Sequence, residues 1–208
     1  MKVHYYEGTE RLELNGEKLP YCMIDFWRMK LSCISETMTR GSFAEFLVAC
    51  ALEEHGIPAL RQDKVGVDAW DLDGPEITTE DGKRLSRIEV KSTANVHINL
   101  PVEERRLRPS QLTFSIREAI DWDHPELGKR RHSDVYVFCY YKAAKKSQNM
   151  LDVGLWDFYV LPTCKIESDE RLRKQHTVSV ARLHRLGLTP VDFNSLGNAI
   201  TAALNSIK

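Results

Sequence analysis

The segment Ile88-Glu89-Val90-Lys91-Ser92 constrains this chain more than any other. It is apolar and β-branched at alternate positions, and strand side chains repeat every two residues. Ile88 and Val90 therefore point to one face of a sheet, while Glu89 and Lys91 stand together on the other. Packing alone does not require an acid and a base two positions apart. The bland reading is an exposed ion pair on the solvated face of an edge strand, worth little energetically, and a three-residue E-x-K pattern recurs by chance. The alternative is chemical. If an Asp from the neighbouring strand joins the pair, the group can hold a divalent cation and a water next to a phosphate. Asp68 and Asp71, in Gly66-Val67-Asp68-Ala69-Trp70-Asp71-Leu72, are the candidates. They are three apart, so in a regular strand they face opposite sides and only one can join Glu89.

Length and composition bound the fold around this segment. With 208 residues, 42% hydrophobic and 28% charged, the chain can bury a sizeable core, and residues 1–208 read as one domain with embellishments. No window reaches the roughly 18 consecutive apolar residues of a membrane span. Met1 to Glu7 lacks an apolar signal core, and five cysteines without a CxxC spacing suit reduced thiols, so a cytoplasmic setting is expected. Cys50 and Cys139 lie in apolar runs and read as core fillers. A net charge of −1 provides no global basic field, so contact with nucleic acid has to come from local clusters. Those available are Arg105-Arg106-Leu107-Arg108, Lys129-Arg130-Arg131-His132 and Arg171-Leu172-Arg173-Lys174. Each reads as a loop or helix end, where a solvated face is the ordinary explanation.

The order of elements follows from periodicity. Asn15-Gly16 between Leu12-Glu13-Leu14 and Lys18-Leu19-Pro20-Tyr21 predicts a small hairpin. Ile24 to Ile34 predicts a short helix packed on the core. Gly41-Ser42 opens a strong helix whose Phe43 to Leu52 is apolar but for Glu45, ending at Gly56-Ile57-Pro58. Glu45 has two readings: it completes a capping box with Ser42, or it lies near the sheet the helix covers and reaches the site. Strands are predicted around residues 59–62, 65–72, 85–93, 134–141 and 155–161. Asp73-Gly74-Pro75 and Glu80-Asp81-Gly82 both read as turns, which makes the link between the Asp and E-x-K strands long. Leu112, Ile116 and Ile120 recur every four residues and predict a helix from Pro109, although Thr113-Phe114-Ser115 also suits a strand. The tail adds residues 178–186 and an amphipathic helix from about Phe193 to Ile207, both read as support.

A helix bearing an acid, a strand with Asp and a strand with E-x-K resemble the PD-(D/E)XK nuclease superfamily, the restriction-endonuclease-like fold. Further segments carry the likeness: Asp25-Phe26-Trp27-Arg28, Arg40-Gly41-Ser42-Phe43-Ala44-Glu45-Phe46, Asp68-Ala69-Trp70-Asp71-Leu72, Asp134-Val135-Tyr136-Val137-Phe138 and Trp156-Asp157-Phe158-Tyr159-Val160-Leu161-Pro162. Together they resemble a bacterial and phage family of restriction-endonuclease-like proteins over roughly residues 24–162. The resemblance implies an α/β fold with a mixed β-sheet flanked by helices in the order α-β-β-β-α-β. The core would span about 36–162, with an N-terminal hairpin and helix in 1–35 and helical additions in 163–208.

The same resemblance, with the chemistry of phosphodiester cleavage, assigns the site. In related sequences the acid often precedes an apolar residue, as in Asp71-Leu72, so Asp71 is the favoured ligand and Asp68 the alternative. Asp71, Glu89 and the main-chain carbonyl of Val90 would hold Mg²⁺ or Mn²⁺, a hard cation that prefers oxygen donors. Lys91 would orient the attacking water and neutralise the phosphate, and Glu45 would anchor a second metal or a water. Ser92 and Gln111 are candidates for substrate contact, though both also read as ordinary polar residues. Expected products carry a 5′-phosphate and a 3′-hydroxyl. DNA is the expected partner, and a homodimer is expected if both strands of a duplex are cut. The competing expectations are a catalytically silent member that binds nucleic acid or protein, and a nuclease for RNA or for branched or modified DNA.

Overall fold

The computed structural model describes residues 6–60, 69–80, 82–95, 111–145 and 148–207. In chain order its elements are β1 (Arg11–Leu14), β2 (Glu17–Cys22), α1 (Met23–Leu31), α2 (Thr37–Glu53), β3 (Leu72–Thr79), β4 (Gly82–Ala94), β5 (Thr113–Ser115), β6 (Ala119–Ile120), β7 (Lys129–Arg130), β8 (Val135–Tyr141), β9 (Trp156–Pro162), α3 (Thr163–Ser168), β10 (Thr177–Ser179), α4 (Val180–Arg185) and α5 (Phe193–Asn205). The architecture is α/β. A four-stranded sheet of order β3-β4-β8-β9 is mixed, because β4 and β8 run parallel while the other two pairs are antiparallel.

Each face of the sheet covers its own apolar cluster. Ile88, Val90, Val135, Val137 and Cys139 point toward α2 and α5, and Leu196, Ile200 and Leu204 of the tail helix pack there as their four-residue spacing predicts. Tyr136, Phe138, Tyr159 and Leu161 point the other way, under Leu112, Phe114 and Ile116 around β5 and under Leu172, Val178 and Leu183. β5 pairs with β10, so the segment after β4 and the C-terminal third close this second face together.

Several elements differ from expectation for identifiable reasons. No helix forms over the described residues 111–120. Leu112, Phe114 and Ile116 are buried while Thr113, Ser115 and Arg117 are exposed, so the operating period is two rather than four, and Ile120 is exposed. The expected α-β-β-β-α-β order accordingly lacks its second helix among the described residues of the β4–β8 crossover. Ala59 and Leu60 are not in a strand; of the strand expected over residues 65–72, residues 65–68 lie outside the described residues, residues 69–71 are not in a strand, and β3 starts at Leu72. Residues 178–186 split into β10 and α4.

The helix α1 buries none of its residues, and Phe26, Met29 and Leu31 are exposed, so it does not pack on the core. It leans instead on the segment ahead of β1, where Ile24 N–H donates to the Gly8 carbonyl and a Cβ on Gly8 would meet the Trp27 ring at 2.8 Å. The hairpin itself forms as expected, with Asn15 and Gly16 both at positive φ (52° and 87°) between β1 and β2.

The link between β3 and β4 is the most consequential difference. Asp73-Gly74-Pro75 is not a turn but a bulge inside β3, and the reversal lies at Thr79–Gly82. The backbone at Gly74 presses on β4 so closely that a Cβ there would meet Ser86 Oγ at 2.6 Å and Ile88 Cδ1 at 2.7 Å. A long-armed hairpin thus joins the two strands, setting Leu72 opposite Ile88 and bringing Asp71 level with the E-x-K segment.

Candidate active site

β3 ends as a pairing partner at Leu72, whereas β4 runs on to Ala94. Among the described residues no strand pairs with the β3 side of β4 beyond Ile88. The N–H of Asp71 donates to the Ile88 carbonyl at 3.0 Å, and the next amide on that edge, Val90 N–H, donates to the Asp71 carboxylate (Oδ2) at 2.7 Å. A side-chain carboxylate therefore completes the ladder where the neighbouring main chain stops. N–H and C=O of one strand residue share an edge, so the Val90 carbonyl faces this same gap.

Glu89 and Lys91 lie on the sheet face of Tyr136 and Phe138, their partners on β8. Lys91 Nζ stands 2.5 Å from Glu89 Oε1 and 3.6 Å from Asp71 Oδ2, with all three side chains mostly but not fully enclosed. One ammonium thus bridges both carboxylates, and this is not a solvated ion pair, because all three side chains are mostly enclosed even though β3 no longer flanks β4 at this point. Burial first, and the Asp71 charge second, push the Glu89 carboxyl up to about 7, against the pull of Lys91. Burial opposes the Lys91 charge, but Glu89 and Asp71 outweigh it and hold the ammonium above its ordinary value.

Glu45 enters from the opposite side. The helix α2 begins at Thr37 with Glu36 as its N-cap, the Glu36 carboxylate accepting from Thr39 N–H at 2.9 Å. Ser42 and Glu45 are thus helix-interior residues and form no capping box. The helix therefore starts one turn upstream of Gly41, where the Glu36 carboxylate accepts both the N–H and the hydroxyl of Thr39. Half-buried, Glu45 has its carboxyl raised by burial and then by the charge of Asp71, with Lys91 opposing. Buried Cys139 carries the imprint of the same group: its thiol is raised by burial and further by Glu45 and Asp71. Cys50, by contrast, is only half-buried and is not a core filler.

Of the other anticipated residues, Ser92 pairs with Cys139 and so faces α2 rather than sharing the Glu89–Lys91 face. Gln111 is exposed ahead of β5. Asp68 and the cluster Arg105–Arg108 lie outside the described residues. Arg131 and His132 are buried rather than solvated.

Two contributors were not anticipated. Trp70, beside Asp71, is stacked by Arg87 at 4.2 Å and donates from Nε1 to Asp73 at 2.7 Å, which steadies the chain entering the site. Asp134 holds the Arg84 guanidinium with two 2.7 Å bonds and accepts Arg87 N–H at 2.8 Å, locking the start of β8 against β4. The odd-numbered spacing of Arg87 with Glu89 and Lys91 was the available signal for the former. For Asp134, whose partners lie 47 and 50 residues away, sequence carried none.

Among the described residues no group of three or more His, Cys, Asp or Glu side chains is spaced to hold a metal ion. The oxygen donors at the gap are the Asp71 and Glu89 carboxylates and the Val90 carbonyl. Among the described residues no helix is long and apolar enough to cross a membrane. No protein-family model matches the chain, and comparison with curated proteins finds no significant match.

Proposed function

We propose that this protein is a divalent-metal-dependent nuclease of the restriction-endonuclease-like kind, hydrolysing phosphodiester bonds in DNA. The carrying observation is the Lys91 ammonium bridging Asp71 and Glu89 at the point where the sheet ladder gives way to a carboxylate. The donor set fits a hard cation. Mg²⁺ retains several waters and needs only one or two carboxylates from the protein, so two acids and the Val90 carbonyl suffice without a third side-chain ligand. The raised Glu89 carboxyl accords with this, since burial first and the Asp71 charge second disfavour its anion, and a bound cation would offset both.

In this reading Asp71, Glu89 and the Val90 carbonyl hold Mg²⁺ or Mn²⁺, which supplies charge against the phosphate and eases deprotonation of the attacking water. Lys91 orients that water and neutralises the phosphate. Asp71 keeps its second job, holding Val90 N–H, which aims the Val90 carbonyl at the gap. Glu45 adds negative charge from the α2 side and braces the water shell. DNA is the proposed partner, a homodimer the proposed assembly for cutting both strands, and the cytoplasm the proposed setting.

Incubation with plasmid, single-stranded DNA and RNA, each with Mg²⁺ or Mn²⁺ against EDTA, tests the reading. Metal-dependent cleavage of DNA is expected; preferential cleavage of RNA would transfer the same chemistry to another substrate. The absence of a three-acid cluster among the described residues favours a second reading, a silent binding module. Calorimetry separates the two: a folded protein that takes up no divalent ion and cuts nothing is the binding module.

A further inference from the structure

The layer that covers the sheet face bearing Glu89 and Lys91 carries two neighbouring hollows on its outer side, where Thr113, Arg117, Arg173 and Thr177 are exposed while Phe114, Leu172 and Val178 pack inward. One, of about 310 Å³, is lined by Arg117, Lys129, Arg173 and Lys174, with Glu118 as its one carboxylate. The other, of about 300 Å³, is lined by Arg171, Arg182 and Arg185 together with the hydroxyls of Thr113, Thr177 and Ser179. Gln175 borders both. Arg182 is neutralised by Asp169 at 2.6 Å. Among the described residues, Arg117, Lys129, Arg171, Arg173, Lys174 and Arg185 form no ion pair, and all six are exposed.

The arrangement is built, not incidental. Arg131, whose side chain is 2% exposed, pairs with Glu167 at 2.8 Å and donates to the carbonyls of Ile116, Arg173 and Gln175. One buried guanidinium thus clamps the loop bearing Arg173 and Lys174 to the strand segment bearing Arg117. The clamp also borders the candidate site: Tyr136 is the register partner of Glu89, and its hydroxyl is raised by burial and by Glu89 while Arg131 opposes.

We infer that these two hollows form a track for the phosphate backbone of a nucleic acid strand running toward the Glu89–Lys91 face. Cations spread over two joined cavities, interleaved with hydroxyl and amide donors, suit a chain of phosphates rather than a single anion. In a protein of net charge −1, which has no global basic field, local clusters of this kind are where contact with a polyanion has to come from. The assignment rests on the nuclease reading for its direction, but not for its binding.

The test is fluorescence anisotropy with a labelled oligonucleotide, single-stranded and duplex, in EDTA, with phosphatidylserine vesicles and heparin as competing polyanions. Arg173→Glu/Lys174→Glu is compared with Lys18→Glu/Lys30→Glu, a control with the same charge change on the exposed N-terminal hairpin and helix. Melting curves establish that both variants fold, and Arg117→Ala/Arg185→Ala gives a milder second probe. The track variant should lose at least tenfold in affinity, alike for unrelated sequences, with the salt slope falling by roughly one per lost phosphate contact. The control should bind like wild type. Equal binding by track variant and control, binding to vesicles but not to oligonucleotides, or no binding by wild type overturns the track. Cleavage by a wild type whose binding ignores Arg173 and Lys174 sinks the track and keeps the nuclease. Binding through the track without cleavage in Mg²⁺ or Mn²⁺ does the reverse.

Discussion

The two halves of β4 have the same strand geometry and opposite jobs. From Gly82 to Ile88 the strand is paired to β3, and Asp134 locks it to the start of β8 through Arg84 and the Arg87 amide. There Asp134 answers Arg84, Glu76 answers Lys83 at the surface, and Arg87 lies over the Trp70 ring. From Glu89 onward only β8 remains as a described partner strand, a carboxylate stands in for the missing main chain, and two acids share one lysine. The first half spends its polar groups on register. The second holds them in an arrangement that favours neither full pairing nor full solvation, which is the condition for binding something else.

The sharpest way to break this contrast is to exchange the consequences of mutation. Glu89→Ala and Lys91→Ala should each lower DNA cleavage by about a thousandfold or more, while Arg84→Ala leaves turnover per folded molecule near wild type. Rates on a plasmid substrate decide it, and comparable losses from all three would erase the distinction. Calorimetry sharpens the pair, because Lys91→Ala should still take up Mn²⁺ and Glu89→Ala should not.

Next in size is Asp134→Ala. It strands the Arg84 guanidinium and orphans the Arg87 amide, so urea denaturation should register a loss of about 3 kcal/mol. Asp71 straddles the halves and should therefore split by chemistry. Asp71→Ala removes the acceptor for Val90 N–H and should cost about 1–2 kcal/mol, whereas Asp71→Asn keeps an acceptor oxygen and should melt near wild type. Both should lose cleavage. If Asn proves as unstable as Ala, the carboxylate charge rather than the hydrogen bond is what the fold uses.

The last test concerns pH. Folding raises the Glu89 carboxyl from its ordinary 4.5 to about 7, so the folded state favours the protonated form. That contribution is fully present below about 4.5 and is lost as pH rises through about 7. Melting temperatures of metal-free protein should accordingly fall between pH 5 and pH 8, and Glu89→Gln should flatten that part of the curve. An unchanged slope in the variant would show that the crowding of charge at Glu89 is energetically idle.

Legibility from sequence tracked the range of the interactions involved. Alternation in Ile88–Lys91, the Asn15-Gly16 turn and the spacing of Leu196, Ile200 and Leu204 are local signals, and each corresponds to the observed element. Misreadings came where a nonlocal partner chose between local options. Asp73-Gly74-Pro75 resembles a turn, but contact with Ser86 and Ile88 makes it a bulge. Leu112 to Ile116 fits a helix by one count and a strand by another, and pairing with β10 selects the strand. Glu45 had a good local explanation in Ser42, but the helix starts further upstream, capped by Glu36, which leaves both residues inside it. Arg131 looked like one member of a solvated basic run, because nothing nearby in sequence announces the carbonyls of Arg173 and Gln175.

The hairpin joining β3 to β4 has a consequence for how the site comes into being. Asp71, Glu89 and Lys91 all belong to one local two-stranded unit, whose ends meet without closing a long loop, and such contacts form early in folding. The wall that encloses them, Tyr136 and Phe138 on β8, arrives only after a crossover from residue 95 to residue 134 has been closed. The residues of the site are therefore local, but their burial is not. The lifting of the Glu89 carboxyl, which burial chiefly causes, depends on that distant wall, so the acidity of the site belongs to the closed sheet and not to the hairpin that carries its residues.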